Sequence, residues 1–211
     1  RFLDQNKERF ELEFNLEKGT SFNTFFIRSH EELFIIHPPE KQYLNTFNKV
    51  ISRFCDQFKL DKINFISGHI NPQIIETIKN ISTQFQNTTI TCSNPGYKLI
   101  SELWHQRNPN LKEFIDIQLP EINIIKKELN LEFNNISLDL IPIPTARWPG
   151  GLIVYERNQE ILLSEKIFSA HIATEDWSET NRVSTENDRK HFYDCLMAPM
   201  SNQIASITEK I

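Results

Sequence analysis

Ile63-Asn64-Phe65-Ile66-Ser67-Gly68-His69-Ile70-Asn71-Pro72-Gln73-Ile74 joins two opposite patterns. The first four residues are a short apolar run of strand type. Ile74, Ile75, Ile78 and Ile81 then recur at helical spacing, so Gly68 to Ile74 falls where a strand hands over to a helix. At such a sheet edge side chains gather for chemistry. Upstream, 22–27 and 33–36 read as strands joined by the polar turn Arg28-Ser29-His30-Glu31, a hairpin. Pro38-Pro39 marks where a helix can begin, and Leu44, Phe47, Val50, Ile51 and Phe54 follow at helical spacing. Downstream, Thr89-Ile90-Thr91-Cys92 is a strand, and Asn94-Pro95-Gly96 opens a helix carrying Leu99, Ile100 and Leu103.

The second half changes character. Leu129, Leu131 and Phe133 alternate with polar residues, Asn134-Asn135 tolerates positive φ, and Ile136, Leu138 and Leu140 alternate again, the strongest hairpin signal in the chain. Residues 152–155 and 161–163 add two strands around the turn Arg157-Asn158-Gln159-Glu160. Residues 185–210 carry Phe192, Leu196, Ile204 and Ile207 on a helix interrupted at Pro199. Hairpins in both halves, with strand–helix units between, predict two sheets packed face to face and covered by helices, in one mixed α/β domain over 1–211.

Composition narrows the function. Lys plus Arg total 23 against 28 Asp plus Glu, a net charge of −5 with no basic run, which argues against a nucleic-acid footprint. With 39% apolar and 24% charged residues the chain is of ordinary globular type, so disorder is excluded. Cys55, Cys92 and Cys195 are odd in number and far apart, which favours a reducing compartment over a disulfide framework. No apolar run is long enough for membrane insertion, and the chain reads as cytoplasmic. A start at Arg1 suggests a piece of a longer protein. Five glycines with no Gly-rich loop opening a helix leave no dinucleotide or flavin-phosphate cradle here. There is no Gly-x-Ser-x-Gly elbow and no Cys placed beside a His for nucleophilic hydrolysis.

From Arg9-Phe10-Glu11-Leu12-Glu13-Phe14 and Gly19-Thr20-Ser21-Phe22-Asn23, through Ile143-Pro144-Thr145-Ala146-Arg147-Trp148-Pro149, to Ser164-Glu165-Lys166-Ile167-Phe168, the order and spacing of segments resemble one family. It is the metallo-β-lactamase-like domain of flavodiiron proteins, the A-type flavoproteins, in particular the diflavin type of oxygenic phototrophs. The resemblance covers nearly all of 1–211 and implies a four-layer αββα sandwich. It also implies that the C-terminal end of the domain, the flavodoxin-like domain with FMN and the flavin reductase domain lie outside these residues. The family passes electrons from NAD(P)H or a similar donor through FMN to oxygen, forming water, in phototrophs a photoprotective activity. Its subunits assemble head to tail, as homo- or hetero-oligomers.

The site departs from the family pattern. Where the family has His-x-Glu-x-Asp-His, two irons being held by imidazoles and carboxylates, this chain has His69, Asn71, Gln73 and Ile74. The family's His-Trp-Pro is Arg147-Trp148-Pro149, and the bridging carboxylate position holds Lys166. The last family His would fall beyond Ile211. Asn and Gln oxygens are weak iron donors, and two cations repel metal. The resemblance therefore implies a degenerate, iron-free site with no catalytic residue in this domain. There Arg147 and Lys166 stand in for the metal charge, pairing with carboxylates such as Glu165 or with an anion. Arg147 and Trp148 lie on the loop that faces a flavin in the family.

Simpler roles stay open. His69 is a hydrogen-bonded structural histidine in one reading and a ligand in the other. Alternatively, Arg147 is an exposed loop cation, Lys166 a surface partner of Glu165 or Glu160, and Trp148 a packing residue. His171 reads as structural, and His30, His37, His105 and His191 show no metal spacing. Three functions compete: an oxygen-reducing subunit relying on a partner's irons or on flavin, a non-catalytic scaffold within a hetero-oligomer, and a single-metal hydrolase using His69 and a residue past Ile211.

Overall fold

The computed structural model describes residues 2–4, 18–106, 117–133, 136–175 and 182–211. In chain order the elements are β1 (Phe2–Asp4), β2 (Thr20–Phe22), β3 (Phe25–Ser29), β4 (Glu32–Ile36), α1 (Leu44–Phe58), β5 (Lys62–Ile66), α2 (Pro72–Gln84), β6 (Asn87–Ser93) and α3 (Asn94–Trp104). They continue as β7 (Glu121–Ile125), β8 (Leu129–Phe133), β9 (Ile136–Pro142), β10 (Leu152–Glu156), β11 (Ile161–Leu163), α4 (Arg182–Phe192) and α5 (Ser201–Thr208). The chain divides into two units, 24–163 and 1–23 with 164–211.

In the larger unit, β3 and β4 form the expected hairpin, with His30 at the turn in the left-handed region (φ 51°). The sheet then runs β3-β4-β5-β6-β7, parallel from β4 onward. Each parallel step advances in the same direction and is bridged by one helix. Right-handed crossovers therefore place α1, α2 and α3 on one face. Phe26, opposite Ile35 in the hairpin, meets Phe47 and Phe54 of α1 at 6.0 and 5.5 Å. Leu33, Ile35, Ile63 and Phe65 point to that helical face and are fully buried.

The alternate residues face the other way. Phe34, Ile36, Ile66 and Ile125 pack against Leu138, Leu140, Leu152, Val154 and Leu163 of the antiparallel sheet β11-β10-β9-β8. Burying each such side chain contributes about 1.5–3 kcal/mol. The expected face-to-face sheets are thus present. The β8–β9 pair closes Phe133 onto Ile136, and Asn134-Asn135 lies outside the described residues, as does the segment Arg9 to Phe14.

A polar network ties the second sheet. Asp139 on β9, 4% exposed, accepts from Asn130 Nδ2 of β8 at 2.8 Å and from Arg157 Nε, just past β10, at 2.6 Å. Burial pushes its carboxyl up, but the Arg157 and Asn130 hydrogen bonds and the Arg157 charge together hold it below its ordinary value.

The smaller unit pairs β1 with β2 antiparallel and continues from α4 through a π turn (Tyr193–Met197) and a 3-10 turn (Ala198–Met200) into α5. Pro199 lies in the interruption, as expected. Lys18 bonds Asp188 at 2.7 Å, and the His171 ring packs on Phe192 at 4.8 Å.

Four local readings change. The single strand expected over 22–27 is two: Phe22 ends β2, whereas Phe25 opens β3. Strand β7 (Glu121–Ile125) adds an edge strand that the sequence pattern does not predict. Helix α1 starts at Leu44, because Glu40 after the two prolines is extended (φ −69°, ψ 157°) and leads into a 3-10 turn, Lys41–Tyr43. Val50, expected on the apolar face, is 47% exposed, and Phe47, Ile51 and Cys55 carry the burial.

Candidate functional site

Hydrogen bonds within the loop from β5 into α2, and from it to β6 and to the turn before α1, hold its shape. Ser67, fully buried, donates its N–H to the Thr91 carbonyl at 3.0 Å and its hydroxyl to the His69 carbonyl at 3.1 Å. Asn71 is the N-cap of α2. Its Oδ1 accepts from Ile74 N at 2.8 Å, and Pro72 supplies the first-turn proline that needs no N–H partner. Asn71 Nδ2 donates to Glu40 Oε1 at 3.2 Å and lies 3.3 Å from His69 Nε2. Glu40 is 5% exposed and also accepts from Gln42 Nε2 at 3.3 Å. Gln73 is exposed on the first turn of α2, and Ile74, 4% exposed, points into the core.

A second loop, 145–151, closes on the first. Thr145 and Trp148 exchange hydrogen bonds: Trp148 N donates to Thr145 Oγ1 at 3.0 Å and Thr145 N to the Trp148 carbonyl at 3.1 Å. This turn leaves Arg147 exposed and Trp148 buried at 8% exposure. Ser93, the N-cap of α3, donates its hydroxyl to the Gly150 carbonyl at 2.9 Å. A Cβ on Gly150 would sit 3.2 Å from Gly96 Cα and 3.3 Å from both the Gly68 carbonyl and Ile70 Cγ1. The second loop therefore packs closely on the Gly68 carbonyl, the Ile70 side chain and the start of α3, and a side chain at residue 150 would require these neighbours to give by a few tenths of an ångström.

The structure brings the His69 and Asn71 side chains into contact and directs those of Gln73 and Ile74 elsewhere, one to solvent and one to the core. Sequence reasoning missed Glu40, Ser93 and Gly150. Lys166 belongs to the smaller unit, half-buried, with Nζ 5.6 Å from the Phe22 ring centroid. As a donor set these residues do not suit a pair of irons: the Asn71 oxygen already caps a helix, and Ile74 has no donor atom. Among the described residues no group of three or more His, Cys, Asp or Glu is placed to hold a metal ion. No helix among them is long and apolar enough to cross a membrane.

Known proteins resemble this chain along most of its length. Residues 20–210 match the family model described as ODP family beta lactamase. Diflavin flavoprotein A 5 of Nostoc sp. is 32% identical over 203 residues, covering 96% of this chain and 33% of that protein. The solved fragment 1–254 of a Nostoc diflavin flavoprotein A 5 has a TM-score of 0.82 at 29% identity, covering 99% of this chain and 77% of that one. A metal-soaked Flv1 flavodiiron core from Synechocystis sp. has a TM-score of 0.76 at 26% identity, covering 89% of this chain and 44% of that one. The chain spans about a third of the length of the curated relatives it matches.

Proposed function

Because the chain belongs to the ODP family of β-lactamase-like domains, and its α/β sandwich matches the metallo-β-lactamase-like core of flavodiiron proteins, we propose that it is one domain of a diflavin flavodiiron oxidoreductase that works without irons of its own. In the whole protein, electrons pass from NAD(P)H or a similar donor to FMN bound outside these residues, and on to oxygen, forming water. Oxygen is reduced at flavin or on a partner subunit that keeps its irons, in a head-to-tail homo- or hetero-oligomer.

One observation carries the reading: the Asn71 amide is engaged on both its oxygen and its nitrogen, by Ile74 N, Glu40 and His69. It thus serves as a helix cap where relatives of this type are expected to place an iron-binding carboxylate. Arg147 and Lys166 supply positive charge in place of metal at two further ligand positions, and Arg147 and Trp148 form the flavin-facing loop. Elemental analysis of the purified full-length protein, with anomalous diffraction at the iron edge, tests this. Iron at background level is expected; a stoichiometric pair of irons per chain overturns the reading.

The lack of a three-residue donor cluster among the described residues favours a second reading, a non-catalytic scaffold that contributes a subunit interface. Stopped-flow oxidation of the reduced full-length protein separates the two. Oxygen consumption that rises when an iron-bearing relative is mixed in supports the heteromeric enzyme, and a rate no greater than the relative's own supports the scaffold.

A further inference from the structure

The hydrogen bonds around Asn71 determine more than the helix cap. An Asn amide offers an oxygen that accepts and a nitrogen with two hydrogens that donate, and its orientation must be argued from its neighbours. Here the neighbours decide it. Ile74 N–H can only donate, so the atom 2.8 Å from it is the amide oxygen. Nδ2 then faces Glu40 Oε1 at 3.2 Å and His69 Nε2 at 3.3 Å, one hydrogen for each. Turning the amide over would set its NH2 against the Ile74 N–H and its oxygen against the Glu40 carboxylate, losing both contacts at once. With the amide fixed, a proton on His69 Nε2 would point at the donor hydrogens of Asn71.

We infer that Glu40 is a positioning residue for this loop: together with the Ile74 N–H it fixes the Asn71 amide, which holds His69 as the tautomer with its proton on Nδ1 and Nε2 as acceptor. This rests on the reading of the loop as metal-free and adds what replaces the metal. Glu40 lies on the turn before α1, 31 residues from Asn71 in sequence, and its 5% exposure keeps water from substituting for it. The loop is thereby set by a carboxylate behind it rather than by an ion in front of it.

The test is 15N NMR of the full-length protein labelled at histidine, with His69 assigned by loss of its signals in His69→Gln. The expected spectrum has Nε2 in the unprotonated range and Nδ1 in the protonated range. Glu40→Ala should move both signals toward the averaged position of exchanging tautomers, whereas Glu40→Gln, which keeps an acceptor oxygen for Asn71, should leave them as in wild type. A protonated Nε2 in wild type, or His69 signals unchanged by Glu40→Ala, overturns the inference. Should Glu40→Ala not fold, the wild-type spectrum decides. Asn71→Ser then serves as the variant, since serine keeps the cap on Ile74 N and removes both amide hydrogens. Adding Fe(II) separates the two readings. Paramagnetic broadening of His69 signals fails the metal-free reading, while a reversed tautomer in iron-free protein fails this inference alone.

Discussion

Glu40 and Asp139 are buried to nearly the same degree, 5% and 4% exposed, and their surroundings differ. Asp139 has a guanidinium and an amide, and its links run across neighbouring strands of one sheet. Glu40 accepts from two amides, those of Asn71 and Gln42, and joins the turn before α1 to the loop after β5. The first carboxylate braces a surface already held by a backbone ladder. The second sets the shape of a loop that has no ladder. Burial therefore does not distinguish a carboxylate that stabilises from one that positions; the kind of segment it ties does.

The largest effect tests what both clusters stand on. Ile66 lies between the sheets, and its carbonyl accepts from His37 N at 3.0 Å. Ile66→Ala should cost about 2–5 kcal/mol in urea unfolding. Next comes Asp139→Ala, which removes the buried acceptor of two part-buried hydrogen bonds and should cost about 1–3 kcal/mol. Asp139 also predicts a pH dependence. Its folded pKa is depressed, so its contribution is complete above the unfolded value of about 3.9 and is lost as pH falls through the lower folded value. Arg157→Met raises the folded pKa, and the acid-unfolding midpoint followed by circular dichroism should move to higher pH. Asn71→Ala should cost about 1 kcal/mol, the size of a lost N-cap. A loss larger than that of Asp139→Ala would invert the comparison. Gln73→Ala is smallest: the side chain is exposed, and the melting curve should reveal a change within about 0.5 kcal/mol.

The sandwich is legible in the sequence wherever neighbours in the chain are neighbours in space. Alternation through 129–140 shows the β8–β9 hairpin, and the isoleucines of 63–81 show the change from strand to helix. β2 and β7 are not legible for the same reason. β2 is three residues long, and its partner lies at Phe2–Asp4. β7 is an edge strand with Ile124 38% exposed, so its apolar pattern is shared between core and surface. In the site, Asn71-Pro72 carries the N-cap and first-turn proline signature in plain sequence, enough to mark Asn71 as a cap. Glu40 carries no such mark, since its contact with Asn71 is made only when α2 lies beside the turn before α1. Gly150 is similar: Pro149-Gly150-Gly151 marks a turn in the sequence, but the close approach appears only when Gly68 and Gly96 are brought against it.

The position of Ile74 bears on engineering. A two-metal centre cannot be installed in this loop one residue at a time. Asn71→Glu sets a carboxylate against Glu40 and removes the short cap of α2, and Ile74→His pushes an imidazole into a space with 4% exposure. Each step lowers stability before any ion is held to repay it. Redesign would have to exchange Glu40, Asn71 and Ile74 together, treating the loop and the turn behind it as one part.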